Sequence, residues 1–286
     1  MYSTHDPSPG HVERLQAQGV RVATALSEED AQEQARDAEA IFGHRYLRQV
    51  LPQAGRLQWV QSTAGGTDGL PLAELRARNI ALTRSTWDAD AIALHAVALA
   101  LALVRDVFPQ AGAYRPSALP NAALVFGAGA IGSAVAHRLR GLGVDRVYGV
   151  NRDGRGVAGF DAVCGGEAWQ EVVGACSLVV DCLPLGALSL GRNVFEAMPK
   201  GGHFVGVGRV QNTDLAALEA ALVSGQLAGA ALDTHHLPPG RGAGVPNLIV
   251  TPHNASHDPQ RGARIEAACE AQLRRFLLGE PLADRV

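Results

Sequence analysis

Between residues 122 and 152 the chain reads AALVFGAGAIGSAVAHRLRGLGVDRVYGVNR, and no other stretch limits the fold as much. The run ALVF is short and wholly apolar, as suits a strand buried on both faces. Glycines follow at 127, 129 and 132. Ile131, Val135 and Leu139 then recur at helical spacing until Gly141 and Gly143 close the segment, and RVYGV reads as a second strand. A strand, glycine turn, helix and strand within about thirty residues form a parallel βαβ unit with the turn at the helix N-terminus. Three glycines alone are weak evidence, but in this context each has a task. Gly127 permits the tight turn, Gly129 lets the backbone approach a pyrophosphate, and Gly132 allows close helix–strand packing. The helix presents unpaired N–H groups to the anion. The expected cofactor contacts are Gly127, Ala128, Gly129, Ala130, Ile131 and Gly132.

The end of the second strand bears on which dinucleotide binds. An acidic residue there would bond a ribose 2′-hydroxyl and repel a 2′-phosphate. This chain has Asn151 and Arg152, with Arg155 beyond, and a guanidinium suits a phosphate. NADP is therefore the expected cofactor and NAD the alternative, with Asp153 offsetting part of the charge.

Further alternation follows: strands at SLVVDCLPL, GGHFVGVGR, LAGAALD and NLIVTPH, helices at NVFEAM and TDLAALEAALVSGQ, the latter with Asp214 in its first turn. The first eighty-odd residues repeat the pattern in miniature, with strand candidates GVRVAT, EAIFG, LQWVQST and IALTR and helices EEDAQEQARDA and PLAELRAR. FPQAGAYRPSALPN, residues 108–121, reads as a linker, and ARIEAACEAQLRRFLLG as an amphipathic helix returning to the first unit. Alternation of this kind implies parallel sheets covered on both faces.

Composition narrows the classes. Of 286 residues 47% are apolar and 19% charged, enough for sizeable cores, and the net charge of −3 gives no footprint for nucleic acid or a membrane surface. The N-terminal residues lack an apolar signal region, and the apolar run 91–104 is too short to span a bilayer, so it reads as a buried helix. Cys164, Cys176, Cys182 and Cys269 form no C-x-x-C pair and read as buried thiols of a cytoplasmic protein.

LQWVQSTAGGTDGLPLAEL, GAGAIGSAVAHRL, LPL, GRVQNTDLAALEAALVSGQLAGAALD, PNLIVTPHNAS and RRFLLGEPL resemble, in order and spacing, landmarks of the D-isomer-specific 2-hydroxyacid dehydrogenases from about residue 12 onward. The resemblance implies an α/β fold of two Rossmann-like parallel-sheet domains with the active site in the cleft between them. On that basis residues 1–86 with 256–286 would form the substrate-binding domain and 87–255 the dinucleotide-binding domain. It also implies a homodimer and hydride exchange between a small 2-keto acid and a D-2-hydroxy acid, with NAD(P) as cofactor. By the same resemblance Arg209 holds the substrate carboxylate and polarises its carbonyl. His253 supplies the proton, a task that suits a side chain titrating near neutrality. Gly65 and Gly66 offer backbone N–H groups to the carboxylate, and Leu183, Pro184 and Asp233 border the cofactor.

The chain departs from the family in several places. Val210 stands where the family has glycine after the arginine, LPLGALSLGRN lacks the usual Thr-Pro and is shorter, and Trp87 sits where smaller residues are common. Trp87 and His95 read as packing residues. The largest departure is in ALDTHHLPPGRGAGV: the family carries there a glutamate that pairs with the catalytic histidine, and residues 234–245 contain no carboxylate. Three readings stay open. Asp233 or Asp258 replaces the glutamate; His253 works without an acid; or the chain keeps the cofactor fold and has lost the chemistry, leaving a dinucleotide-binding sensor or interaction module. A dehydrogenase for a substrate that needs no such pair is a weaker fourth. A metal site built from His235, His236, His253 and His257 is disfavoured, since adjacent histidines in extended chain point apart.

Overall fold

The computed structural model describes Met1, residues 7–109 and residues 115–286. It divides into two units, Met1–Asp88 with Asp258–Val286, and Ala89–His257.

The first unit contains α1 (Pro9–Gln16), α2 (Glu28–Ala35), β1 (Ala40–Phe42), α3 (Leu47–Val50), β2 (Trp59–Gln61), α4 (Leu72–Ala77), β3 (Ala81–Thr83) and the C-terminal α10 (Arg261–Leu278). Its three strands are parallel in the order β1-β2-β3. Residues 19–24, expected as a strand, lie outside any strand. Their apolar alternation serves a different contact: Val20 and Val22 pack on a cluster of Leu15, Phe42, Ile265 and Cys269 between α1 and α10. Trp87 packs in that cluster too, stacked on Phe42.

The second unit begins with α5 (Ala89–Val104), then β4 (Ala122–Phe126), α6 (Ala130–Gly141), β5 (Arg146–Asn151), β6 (Ala162–Gly165), α7 (Gln170–Val173), β7 (Leu178–Asp181), α8 (Arg192–Phe195), β8 (Gly202–Gly206), α9 (Leu215–Val223), β9 (Leu227–Asp233) and β10 (Leu248–Thr251). The seven strands are parallel in the order β10-β9-β8-β7-β4-β5-β6. The first strand of the unit, β4, thus lies centrally, and the sheet grows outward from it in both directions. One face is covered by α5 and α6, through Ala96, Val97, Ala100, Val135 and Leu139. The other packs Trp169, Phe195, Phe204, Leu218 and Leu222. Parallel pairing on a sheet buried from both sides explains the unbroken apolar runs of its inner strands. β6 carries little sequence signal because it is an edge strand whose residues are exposed or half-buried, so it has neither a continuous apolar run nor a clean alternation. Asp214 is the N-cap of α9 rather than a member of its first turn; its carboxylate accepts the Ala217 N–H at 3.1 Å. Of the expected linker, residues 110–114 lie outside the described residues, and 115–121 carry no helix or strand.

Strand register aligns the carboxyl end of the larger sheet. Phe126 pairs with Asp181, Asp181 with Gly206, Gly206 with Leu232, and Asp233 with Thr251. The carboxyl ends of five neighbouring strands therefore form one rim. In an open parallel sheet ligands bind at this rim, where strand order reverses, here between β4 and β7.

Candidate active site

Gly127 leaves β4 at φ +95°, and its N–H and that of Ala128 both donate to Val150 O at 2.9 Å. A Cβ on Gly127 would lie 2.9 Å from Cys182 O, so the glycine also admits the end of β7. A Cβ on Gly132 would lie 2.1 Å from Gly127 O, which fixes how closely α6 packs on its own turn. Gly129, the N-cap of α6, has nothing within 4 Å of its Cβ position. The first N–H groups of a helix lack intrahelical partners. An open glycine in front of such groups is a cradle that fits a pyrophosphate. Ala130 is exposed and Ile131 half-buried at the start of the helix, while Ala128 is buried.

At the end of β5, Asn151 closes a turn on itself. Its Oδ1 accepts the Gly154 N–H at 2.7 Å and its Nδ2 donates to Arg155 O at 2.8 Å. Arg152 is exposed and makes no ion pair among the described residues, Asp153 included.

Beyond β7, Leu183 is buried and Pro184 exposed. Asn212, which no sequence signal marks, holds this loop: its Nδ2 donates to Pro184 O at 2.8 Å and its Oδ1 accepts the Gly186 N–H at 2.9 Å. Asp181 is likewise unmarked in the sequence. Its main-chain oxygen accepts the N–H groups of Val207 and Gly208 at 3.0 Å, and its carboxylate that of Leu183 at 2.8 Å. It thus ties the Leu183 loop to the segment carrying Arg209. Burial pushes its carboxyl up to about 7, against the opposing pull of the Leu183 N–H.

This shift makes stability depend on pH. An unfolded aspartate titrates at about 3.9, so between that value and about 7 the folded unit retains a proton that the unfolded chain has lost. Stability is then highest below the unfolded value, declines as pH rises through this window, and levels above it. The decline attributable to this group is on the order of 4 kcal/mol. Asp181→Asn keeps an acceptor for the Leu183 N–H and removes the titration. Thermal unfolding from pH 4 to 8 should show the variant gaining on the parent as pH rises; parallel curves would refute the assignment.

Arg209 follows β8, half-buried, as the N-cap of a single 3-10 turn, Val210–Asn212. Val210 has no positive φ and packs on the core of the sheet, so the turn has no need of glycine there.

His253 follows β10 with φ +53°, a left-handed conformation unusual for a residue bearing Cβ. Asp233, at the end of β9, holds it so. Its Oδ1 accepts the Thr251 hydroxyl at 2.6 Å and the Asn254 N–H at 3.0 Å, and its Oδ2 the Ala255 N–H at 3.1 Å. The His253 ring meets the main-chain oxygen of Asp233 instead of its carboxylate, Nδ1 to O at 3.3 Å. His95 reaches the same network from α5, its Nε2 lying 3.1 Å from Thr251 Oγ1 and 3.7 Å from Asp233 Oδ1. Asp258, the other acid considered from sequence, pairs with Arg264 at 2.7 Å.

In the first unit, Gly65 and Gly66 lie in the turn after β2. Their N–H groups donate to no group among the described residues, and a Cβ on Gly65 would lie 3.1 Å from Ser85 O. The turn is braced by Ser62, whose Oγ accepts the Ala64 N–H at 3.1 Å and lies 3.1 Å from His44 Nδ1.

The sequence model of the D-isomer-specific 2-hydroxyacid dehydrogenase NAD-binding domain matches residues 110–255, just over half of the chain. A 2-ketogluconate reductase from Gluconobacter oxydans (strain 621H) is 29% identical over 232 residues, covering 73% of this chain and 72% of its own. A solved D-isomer-specific 2-hydroxyacid dehydrogenase from Xanthobacter autotrophicus Py2, in complex with NADPH and MES, is 25% identical with a TM-score of 0.80 over 100% of this chain and 96% of its own. A family protein from Aeromonas salmonicida subsp. salmonicida A449 is 26% identical with a TM-score of 0.78 over 100% and 97%. No described helix is long and apolar enough to cross a membrane.

Proposed function

The chain belongs to the family of D-isomer-specific 2-hydroxyacid dehydrogenases, and from that premise we propose that it reduces a small 2-keto acid to the D-2-hydroxy acid, with NADPH preferred over NADH. At the level of class it is an NAD(P)-dependent oxidoreductase of the 2-hydroxyacid dehydrogenase type.

The observation that carries the reading is the His253 ring on the Asp233 carbonyl, at the rim to which Arg209 also belongs. A carbonyl oxygen only accepts, so the contacting Nδ1 bears the hydrogen. Nε2 is then the atom that gains and loses the proton, and in the imidazolium it is the donor to the forming alkoxide. The Asp233 carbonyl thereby fixes the tautomer, one task of the absent family glutamate, without contributing a full charge. The Arg209 guanidinium would bond the substrate carboxylate and polarise the keto oxygen, and the amides of Gly65 and Gly66 would bond the carboxylate as well. When bound at the Gly127–Gly132 turn, NAD(P)H supplies the hydride. The unpaired Arg152 supports the NADPH preference. A homodimer belongs to the same reading: Leu94, Val107 and Phe108, on and just after α5, are exposed apolar side chains that a second copy would cover, and a single-chain mass in solution would reject it.

The test is oxidation of NADPH and NADH with a panel of small 2-keto acids, alongside cofactor binding by fluorescence. Turnover with at least one keto acid is expected. Cofactor binding without turnover on any would favour the binding-protein reading, whose support is the carboxylate-free loop of residues 234–245. NADPH is expected to bind about 10-fold or more tightly than NADH, one good charge-assisted contact being worth that much. The double change Asn151→Asp with Arg152→Ala should reverse the order, and tighter NADH binding by the unchanged protein would defeat it.

A further inference from the structure

We infer that His235 is a positioning residue for His253, its ring supplying the lateral support that the family's glutamate would otherwise give. The inference rests on the reading of His253 as proton donor. A single long contact, Nδ1 to Asp233 O at 3.3 Å, fixes one ring atom and leaves the ring free to swing about it. The Asp233 carboxylate does not help, being taken up by Thr251, Asn254 and Ala255. The centroid of the His235 ring lies 4.5 Å from that of His253, with 41° between the planes. That is within the range of a packed aromatic pair.

The backbone that carries both rings is held by the ladder beneath them. Thr234 N–H donates to Thr251 O at 2.9 Å, so the residues on either side, Asp233 and His235, have little freedom relative to the His253 turn. The shortened loop beyond is anchored from α9, where Glu219 accepts from Arg241 and from the Gly242 N–H, each at 2.8 Å. His236 does not share the role on this geometry: its ring contact is with His235, at 6.4 Å. The double histidine that draws attention in THHLPP thus divides into one ring packed on the proton donor and one neighbour. The support is a matter of ring packing, not of charge.

The experiment uses the full chain with NADPH. His235→Ala should lower kcat by about 10- to 100-fold, the cost of a loosely held reacting group. KM for the keto acid and the NADPH dissociation constant should stay within error. His235→Phe, which keeps a ring, should restore most of the rate, and His236→Ala should behave as the parent. A second readout does not need turnover: the ring resonances of His253 in histidine-labelled protein should move and broaden in His235→Ala and recover in His235→Phe. Wild-type kcat and unmoved resonances in His235→Ala would overturn the inference. So would His235→Phe as impaired as His235→Ala, which would indicate imidazole chemistry instead of packing. If the parent reduces no keto acid, the proposed function fails, and the resonances still decide whether His235 holds His253.

Discussion

Arg209→Lys is expected to cost about 100-fold or more in kcat/KM on every keto acid that the parent reduces, although the charge is kept. Removal of one donor aimed at developing charge costs about 100- to 1000-fold, and a lysine ammonium cannot copy the planar fork that bonds a carboxylate with one edge. The backbone setting of Arg209 should survive the change, because β8 and the 3-10 turn after it are held by main-chain bonds such as Asn212 N–H to Arg209 O at 2.8 Å. Steady-state kinetics with a binding titration for NADPH distinguish the cases. Unchanged kcat/KM would remove Arg209 from the role of substrate clamp, and loss of NADPH binding would point to a folding defect.

Gly132→Ala is expected to destabilise the second unit by about 3 kcal/mol or more, at the top of the range for overpacking. The new methyl would sit 2.1 Å from Gly127 O, and that atom belongs to a backbone turn that cannot rotate away. Either α6 lifts from β4 or the turn opens, and both damage the cradle at Gly129. Gly129→Ala makes the contrast. Its Cβ meets nothing within 4 Å, and its φ of −94° is open to any residue, so the fold should tolerate it. The methyl would however stand where the pyrophosphate approaches, and NADPH should bind more weakly. Thermal unfolding and fluorescence titration separate the two effects. A Gly132→Ala protein that melts with the parent would mean that helix and turn are not in contact as described.

The βαβ unit at 122–152 is legible because its information is local: a wholly apolar strand, glycines at a turn that needs them, and a helix with one apolar face. The elements that escape have weak local signals. β6 is an edge strand of exposed and half-buried residues. Residues 19–24 look like a strand, because alternation records only that Val20 and Val22 are buried and not what buries them. Arg209 and His253 emerge through resemblance, since neither composition nor spacing marks one arginine or histidine out from the others. Asp181 and Asn212 do not emerge at all: a buried aspartate and a buried asparagine are, in a sequence, indistinguishable from exposed ones.

The sequence by itself determined the class of fold, the place of the dinucleotide turn and the absence of a carboxylate between residues 234 and 245. Only the tertiary structure decided which groups the His253 ring meets in a chain that lacks that carboxylate. The ring of His253 meets the carbonyl of Asp233 and packs beside the tilted ring of His235 because β9 and β10 are neighbours in register, Asp233 opposite Thr251. Hydrogen-bond partners across a parallel sheet are set by strand order and register, which depend on how the whole chain packs. A main-chain carbonyl, moreover, is present at every residue, so no side-chain pattern could have announced that this one is used.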